Sequence, residues 1–294
     1  APVFVYHGFR YVEIDGVERD PDIKDFVGEV MYDRMQQTGH FETSDFIINQ
    51  IFKNAYWGIR GNYHNMPTDC PQRDERHGWL GDRATGCWGE SFVFDNALLY
   101  RKWLQDIEES QREDGVISAV SPRFWTIYAG DVTWPSVYIL AAELLYRHYG
   151  DATAIVKHYD SMKRWVEYIY KNSMKDGLVV RDEWGDWCMP PEAPELIHSQ
   201  DPMRKTDGAI LGSTTFYGLL YKMIDFARIS GHSEDIDNYK THAEALKKAY
   251  NKRFFNYETA QYGNNSVTGN LLSLRYGLVP DGYEKRVFNN VVEK

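Results

Sequence analysis

Residues that could carry out acid–base chemistry are concentrated in residues 65–82, which read NMPTDCPQRDERHGWLGD. The prolines and glycines of this segment disfavour a continuous helix, so its charged side chains are predicted to lie on a shaped loop. A carboxyl group that is crowded by other carboxylates and shielded by a tryptophan has a raised pKa, as a general acid requires near neutral pH. The pattern therefore predicts either an acid catalyst or a salt-bridge network that ties the loop to the next helix.

The 65–82 loop resembles the signature of the bacterial α-L-rhamnosidases, the inverting enzymes of glycoside hydrolase family 78. The matching positions are residues 67–76 together with Gly78, Trp79, Gly81 and Asp82. This many matches at fixed spacing make the resemblance specific.

The resemblance assigns roles to individual residues of the loop. It implies that Glu75 is the general acid and that Asp69 and Arg73 hold the hydroxyl groups of rhamnose. It also implies that Trp79 lines the sugar site. His77 departs from the family pattern, in which we expect an aliphatic residue at this position. The departure affects the expected local packing and not the assignment of Glu75 as the acid.

Two further clusters combine acids with aromatic residues. Asp131 and Trp134 lie in the sequence GDVTWP, where the resemblance implies sugar binding and the alternative is a helix N-cap beside a buried tryptophan. Asp186 and Trp187 belong to the tetrapeptide WGDW, which resembles a second aromatic and acidic loop of the family. The following segment, residues 190–207, is predicted to be a surface loop, or alternatively to shape the leaving-group side of the site.

Inverting hydrolysis also requires a general base about 6.5–9.5 Å from the acid. In the family this base is a glutamate far downstream, so the resemblance implies that it lies beyond residue 294. We therefore expect this chain to be a fragment that is inactive by itself. The predicted substrate is a rhamnose-containing oligosaccharide, polysaccharide or glycoside, with no cofactor. The alternatives are another inverting α/α-barrel glycosidase and a non-catalytic carbohydrate-binding barrel.

The structural period of the sequence changes near residue 40. Strands are predicted at residues 3–6, 9–14 and 27–31. Beyond them, apolar spacing predicts helices at 44–60, 83–110, 131–149, 153–172, 212–230, 233–254, 265–276 and 283–293. Residues 84–99 and 211–223 are apolar on most faces and are predicted to be inner helices, whereas 157–170 and 240–253 are amphipathic and are predicted to be outer helices.

An inner ring of helices inside an outer ring is an α/α barrel, which is also the catalytic fold that the resemblance implies. We predict a mainly α chain in which residues 41–294 form the first two-thirds of an (α/α)6 barrel, incomplete at its C-terminus. Residues 1–40 are predicted to be the end of a β-sandwich domain and a linker.

Composition excludes several classes of partner. The 43 acidic residues outnumber the 33 basic ones, giving a net charge of −10 that disfavours nucleic acid and anionic membranes. No apolar run approaches the ~20 residues needed to span a bilayer. The three cysteines are widely spaced and lack a CxxC pair, so neither a disulfide framework nor a metal site is predicted. The sequence leaves the oligomeric state open, and also the choice between a periplasmic, secreted or cytoplasmic location.

Overall fold

The computed structural model describes residues 6–180, 182–199 and 201–293, and helices dominate this part of the chain. The helices are α1 Phe46–Gly61, α2 Leu80–Ser91, α3 Ala97–Ser110, α4 Val137–Tyr149, α5 Thr153–Tyr168, α6 Gly208–Ser230, α7 Ile236–Phe254, α8 Val267–Arg275 and α9 Glu284–Val292. Within these described ranges, four short strands form two antiparallel pairs, β1 Met174–Lys175 with β2 Leu178–Val179 and β3 Phe255–Asn256 with β4 Gln261–Tyr262. No helix in the described residues is both long and apolar enough to cross a membrane.

The longest helix, α6, is an inner helix. Fifteen of its 23 residues are buried, and it packs against α5, α7 and α8. Its partner α7 buries only five of 19 residues and keeps a charged outer face. The two helices are joined by a short turn at Gly231, whose φ of +86° ends α6 in the left-handed conformation. The predicted inner and outer roles of these two helices are confirmed.

The single helix predicted at 83–110 is wrong, because the structure divides it into α2 and α3. Residues 92–96 leave the helical path and pair with the segment that precedes α1. The N–H of Thr38 donates to Val93 O at 2.9 Å, and the N–H of Asp95 donates to Gln36 O at 2.9 Å. These bonds supply hydrogen-bond partners for the backbone groups of residues 93 and 95. They compensate for the helical hydrogen bonds that are lost where the helix is interrupted.

Helix α4 also begins later than predicted, at Val137 instead of residue 131. The N–H groups of Val132 and Thr133 donate to the carboxylate of Asp182 at 3.1 and 2.9 Å. The predicted start of this helix is therefore wrong, because a side chain from a distant loop holds these residues in a turn.

The strands predicted at 9–14 and 27–31 are wrong, since residues 6–40 form no regular strand. A strand needs a neighbour that supplies backbone partners, and the described residues place none beside these segments. Of the strand predicted at 3–6, residues 3–5 lie outside the described residues. The assignment of residues 1–40 to the end of a β-sandwich domain stays a prediction.

Candidate functional site

Residues 65–79 of the 65–82 loop lie between α1 and α2 as a loop, as predicted, whereas residues 80–82 already begin α2. Hydrogen bonds close the loop. The N–H of Asp69 donates to His77 O at 2.9 Å, and the N–H of His77 donates to Asp69 Oδ1 at 2.9 Å. Before them, the N–H of Thr68 donates to Asn62 O at 2.8 Å. The reciprocal pair joins positions 69 and 77, so the residues between them form a fixed protrusion that contains Glu75.

Glu75 is paired with Asp69. A hydrogen bond with the Asp69 side chain raises the pKa of Glu75, and burial and the charge of Asp69 raise it further. Arg73 opposes this shift and Asp82 adds to it. Side-chain ligand atoms of Asp69, Cys70 and Glu75 all lie within 4.8 Å of one another. A carboxyl group whose pKa is raised by a neighbouring carboxylate keeps its proton to higher pH than a free one, which is the change that a general acid needs.

The two arginines of the loop have different surroundings. Arg73 is exposed, and its charge acts on Glu75. Arg76 is partly buried in the left-handed region, at φ +50°, where it donates to Tyr6 O at 3.1 Å and to Pro71 O at 3.2 Å. Arg76 therefore fixes the loop, whereas Arg73 remains accessible, and its predicted role in binding hydroxyl groups stays a prediction.

Tryptophan rings line the region next to the loop. The ring centroid of Trp184 lies 6.2 Å from that of Trp79 and 6.0 Å from that of Trp134. Trp79 has a second ring neighbour, Trp125, whose centroid lies 6.0 Å from that of Trp79. The predicted sugar-site residues Trp79 and Trp134 are thus brought together through Trp184. Sequence reasoning did not select Trp125 or Trp184, although Trp184 is the first residue of the WGDW tetrapeptide.

Asp131 is buried and bonded to a distant loop. Its Oδ1 accepts the N–H of Glu183 at 3.3 Å. In return Asp182, which sequence reasoning missed, accepts from the Thr133 hydroxyl at 2.6 Å. The alternative reading of Asp131 as an N-cap is wrong, because Ser136 occupies the N-cap of α4. Sugar binding by Asp131 stays a prediction.

Asp186 and Trp187 lie beside the 190–207 segment. Asp186 accepts from the Thr206 N–H at 3.1 Å and from the Thr268 hydroxyl at 3.2 Å. The half-exposed ring of Trp187 lies 6.4 Å from that of His198. Asp186 thus connects its loop to the starts of α6 and α8, and substrate binding by both residues stays a prediction.

A buried ion pair on α2 is bonded to the backbone of the 65–82 loop. Arg83 Nη1 donates to Glu90 Oε1 at 2.7 Å, and Arg83 Nη2 donates to Thr68 O at 2.6 Å. Glu90 Oε2 accepts from the hydroxyls of Tyr63 and Tyr100. Because Thr68 precedes Asp69, this network fixes the backbone that carries the Asp69 carboxylate. Motif reasoning did not identify it.

Two groups of side chains in the described residues have the spacing to hold a metal ion: Asp69, Cys70 and Glu75, and His232, Glu234 and Asp235. In the first group, burial raises the pKa of Cys70 to about 11, so this thiol is protonated at neutral pH. In the second, Asp235 Oδ1 already binds Lys163 Nζ at 2.6 Å. Metal binding requires deprotonated and available ligands, so neither group is assigned as a metal site.

Comparisons with known proteins agree on one family. The model of the bacterial α-L-rhamnosidase 6 hairpin glycosidase domain matches residues 36–294. An α-L-rhamnosidase of Formosa agariphila is 30% identical over 300 residues, covering 100% of this chain and 31% of the relative. The structure of an α-L-rhamnosidase from Dictyoglumus thermophilum matches with a TM-score of 0.85 and 34% identity, covering 94% of this chain and 30% of that one.

A Streptomyces avermitilis α-L-rhamnosidase, solved in complex with L-rhamnose, matches with a TM-score of 0.81 and 25% identity, covering 90% of this chain and 24% of that one. The chain thus spans less than a third of the length of these relatives. The predicted class of fold, mainly helical and of the six-hairpin (α/α)6 type, is confirmed by the family match and the structural likeness.

Proposed function

Because the chain belongs to the bacterial α-L-rhamnosidase family with a six-hairpin glycosidase domain, we propose that it supplies the general acid of an inverting α-L-rhamnosidase. The substrate is a terminal α-L-rhamnose unit of an oligosaccharide, polysaccharide or glycoside. One observation carries the proposal: Glu75 is hydrogen-bonded to Asp69 within the 65–82 loop, and this pairing raises the pKa of Glu75. Such a group is suited to protonate a glycosidic oxygen.

The proposed reaction divides the work between two carboxyl groups. Glu75 gives its proton to the glycosidic oxygen as the bond to the sugar breaks. A base from outside this chain takes a proton from a water molecule, and this water attacks the opposite face of the sugar. The acid and the base must lie about 6.5–9.5 Å apart to leave room for the water. On this proposal the chain is inactive by itself.

The division of polar and apolar groups suits a deoxy sugar. Asp69 and Arg73 are proposed to hold the hydroxyl groups of rhamnose, with Asp131 and Asp186 as further acceptors. The rings of Trp79 and Trp134 are proposed to cover its apolar face and methyl group, and Trp187 to extend this surface. A site that combines an apolar wall with a few convergent polar groups is the usual form of a small-ligand pocket.

The role of Glu75 is tested by Glu75→Gln in the complete natural protein that contains this chain. We expect kcat to fall by about 10²–10⁴ for substrates with poor leaving groups, because they need protonation as the bond breaks. The loss should be much smaller for α-L-rhamnosyl fluoride, whose leaving group needs little protonation.

The matched control is Glu258→Gln, which changes an exposed glutamate in the turn between β3 and β4 and should leave kcat unchanged. Equal losses of Glu75→Gln on both substrates would contradict the assignment, because a damaged fold does not distinguish leaving groups.

A further inference from the structure

Three aromatic rings, one on the 65–82 loop and two beside it, have no role in the function proposed above. The His77 ring stacks on Phe124, with centroids 5.3 Å apart and planes at 22°. Trp125 lies on the same imidazole, at 4.2 Å. We call these three side chains the aromatic rim. Trp125 also contacts Trp79 at 6.0 Å, so the aromatic rim is continuous with the proposed sugar site.

Backbone hydrogen bonds hold the segment that carries Phe124 and Trp125 against the loop that carries His77. The N–H of Ser121 donates to Gly78 O at 2.9 Å, and the N–H of Leu80 donates to Ala119 O at 2.9 Å. A Cβ atom on Gly78 would lie 1.9 Å from Ser121 O, so only glycine permits this approach. These contacts fix the start of the 121–130 segment, which carries Phe124 and Trp125, beside the loop that carries Glu75.

The aromatic rim offers apolar ring surface to solvent. Phe124 is 77% exposed and Trp125 is 38% exposed. Burial lowers the pKa of His77, which favours the uncharged imidazole as the stacking partner of the other rings. A single exposed aromatic residue is ordinary, but stacked rings that continue a ligand site form a surface suited to another ring.

The position of the aromatic rim indicates which part of the substrate it contacts. The backbone N–H of His77 donates to Asp69 Oδ1, which fixes the backbone that carries the His77 ring beside the Glu75 and Asp69 pair. An acid catalyst must face the glycosidic oxygen, and the leaving group is attached to that oxygen. A substituent on this oxygen therefore passes next to the residues that flank Glu75.

We propose that His77, Phe124 and Trp125 form the leaving-group subsite, which stacks on the flat face of an aryl or sugar ring linked to rhamnose. The inference rests on the proposed function, since it uses Glu75 as the acid. It adds a specificity site, which selects substrates that carry a ring on the leaving-group side.

The test compares leaving groups with and without a ring in the complete natural protein. Phe124→Ala and Trp125→Ala are each measured with 4-nitrophenyl α-L-rhamnoside, a rhamnosyl-glucose disaccharide and α-L-rhamnosyl fluoride. We expect kcat/KM to fall about threefold to tenfold on the ring-bearing substrates, mainly through KM, and to stay unchanged on the fluoride. Phe124→Tyr keeps the ring and should therefore have the same kcat/KM as the wild-type protein.

The matched control is Phe92→Ala, because Phe92 is also exposed, at 66%, and packs on a histidine, with its ring 4.9 Å from that of His148. It should have no effect on any of the three substrates. A loss confined to the aryl compound or to the disaccharide supports the subsite and identifies the ring class that it binds.

Two results would overturn the inference. One is an equal loss on the fluoride and on the ring-bearing substrates, which indicates damage to the loop. The other is no loss on any substrate. A wild-type protein that hydrolyses no α-L-rhamnoside contradicts the proposed function instead, so the two failures are distinguishable.

Discussion

At the scale of single residues, Asp69 has the most functions in the site. Its N–H and its carboxylate both bind the backbone of His77, and its side chain also bonds Glu75 and raises the pKa of that group. One residue therefore sets both the shape of the 65–82 loop and the proton affinity of the proposed acid. A change at Asp69 should consequently alter the pH dependence of the reaction as well as its rate.

We predict that Asp69→Asn moves the alkaline limb of the kcat/KM profile to lower pH. The proposed acid must be protonated, so activity is lost as pH rises through the pKa of Glu75. The hydrogen bond with the Asp69 carboxylate raises that pKa most, and the charge of Asp69 raises it further. Removing the carboxylate therefore lowers the pKa of Glu75 and brings the loss of activity to lower pH. The measurement is kcat/KM against pH in the complete natural protein.

The control for this profile is Asp74→Asn, which removes a neighbouring exposed charge that is not among the main causes of the shift. The alkaline limb of this control should stay in place. An unmoved or alkaline-shifted limb in Asp69→Asn would count against the pairing of the two carboxyl groups.

At the scale of elements, α2 connects the 65–82 loop to the Trp134 ring and to the buried core. Its second residue, Gly81, lies directly against the Trp134 ring, and a Cβ there would be 2.1 Å from Cε2 of that ring. Further along the same helix, Arg83 and Glu90 form the buried ion pair that supports Thr68. The helix therefore positions the proposed acid and one of the tryptophans together.

The first prediction for α2 concerns its glycines. Gly81→Ala should destabilise the protein by about 1–3 kcal/mol, because the new methyl group must displace the Trp134 ring. Gly89→Ala in the same helix should stabilise it by about 0.5–1 kcal/mol, because nothing lies within 4 Å of that Cβ. Denaturant unfolding of both variants measures the difference. Equal effects at the two positions would contradict the close packing at Gly81.

The second prediction for α2 concerns the ion pair. Arg83→Met should cost about 3–5 kcal/mol, because it leaves the Glu90 carboxylate buried without its cation. Adding Glu90→Gln to that variant should recover part of the loss, because the buried charge is then removed. Thermal or denaturant unfolding of the single and double variants tests this. A double variant less stable than Arg83→Met alone would show that the charge is not the source of the cost.

At the scale of the whole molecule, apolar burial is uneven. Helix α6 lies within the core, whereas α1 has no buried residue. The exposed side chains of α1 include Ile47 at 67%, Ile51 at 61% and also Phe46 and Trp57. Large apolar side chains exposed together on one helix are typical of an interaction face or of a site prone to aggregation.

We predict that this 294-residue chain, prepared by itself, enhances the fluorescence of the dye ANS, which binds exposed apolar surface. The double variant Ile47→Lys and Ile51→Lys changes two side chains on one face of α1 and should reduce the signal and increase solubility. Val156→Lys alters a single exposed apolar residue on α5 and should leave the signal unchanged. If the double variant leaves the ANS fluorescence unchanged, the dye binds elsewhere and the prediction for α1 is wrong.

The sequence alone determined features that depend on near neighbours along the chain. The acids, prolines and glycines of residues 65–82 predicted a shaped loop. Apolar spacing predicted the inner position of α6 and the outer position of α7. The predicted helix ends at 149 and 230 are those of α4 and α6, and the glycines that follow, Gly150 and Gly231, adopt the left-handed conformation. These signals are local because helix periodicity and turn conformation act over a few residues.

The tertiary structure alone decided features that depend on segments far apart in the chain. Asp182 binds the turn before α4, and Trp184 joins Trp79 to Trp134. The break between α2 and α3 likewise depends on bonds to residues 36–39. The direction of the pKa shift of Glu75 could not be read from the sequence, because it depends on the balance between burial, Asp69 and Arg73 in space. Hydrogen bonds and electrostatic interactions follow distance between atoms, and only the folded chain sets those distances.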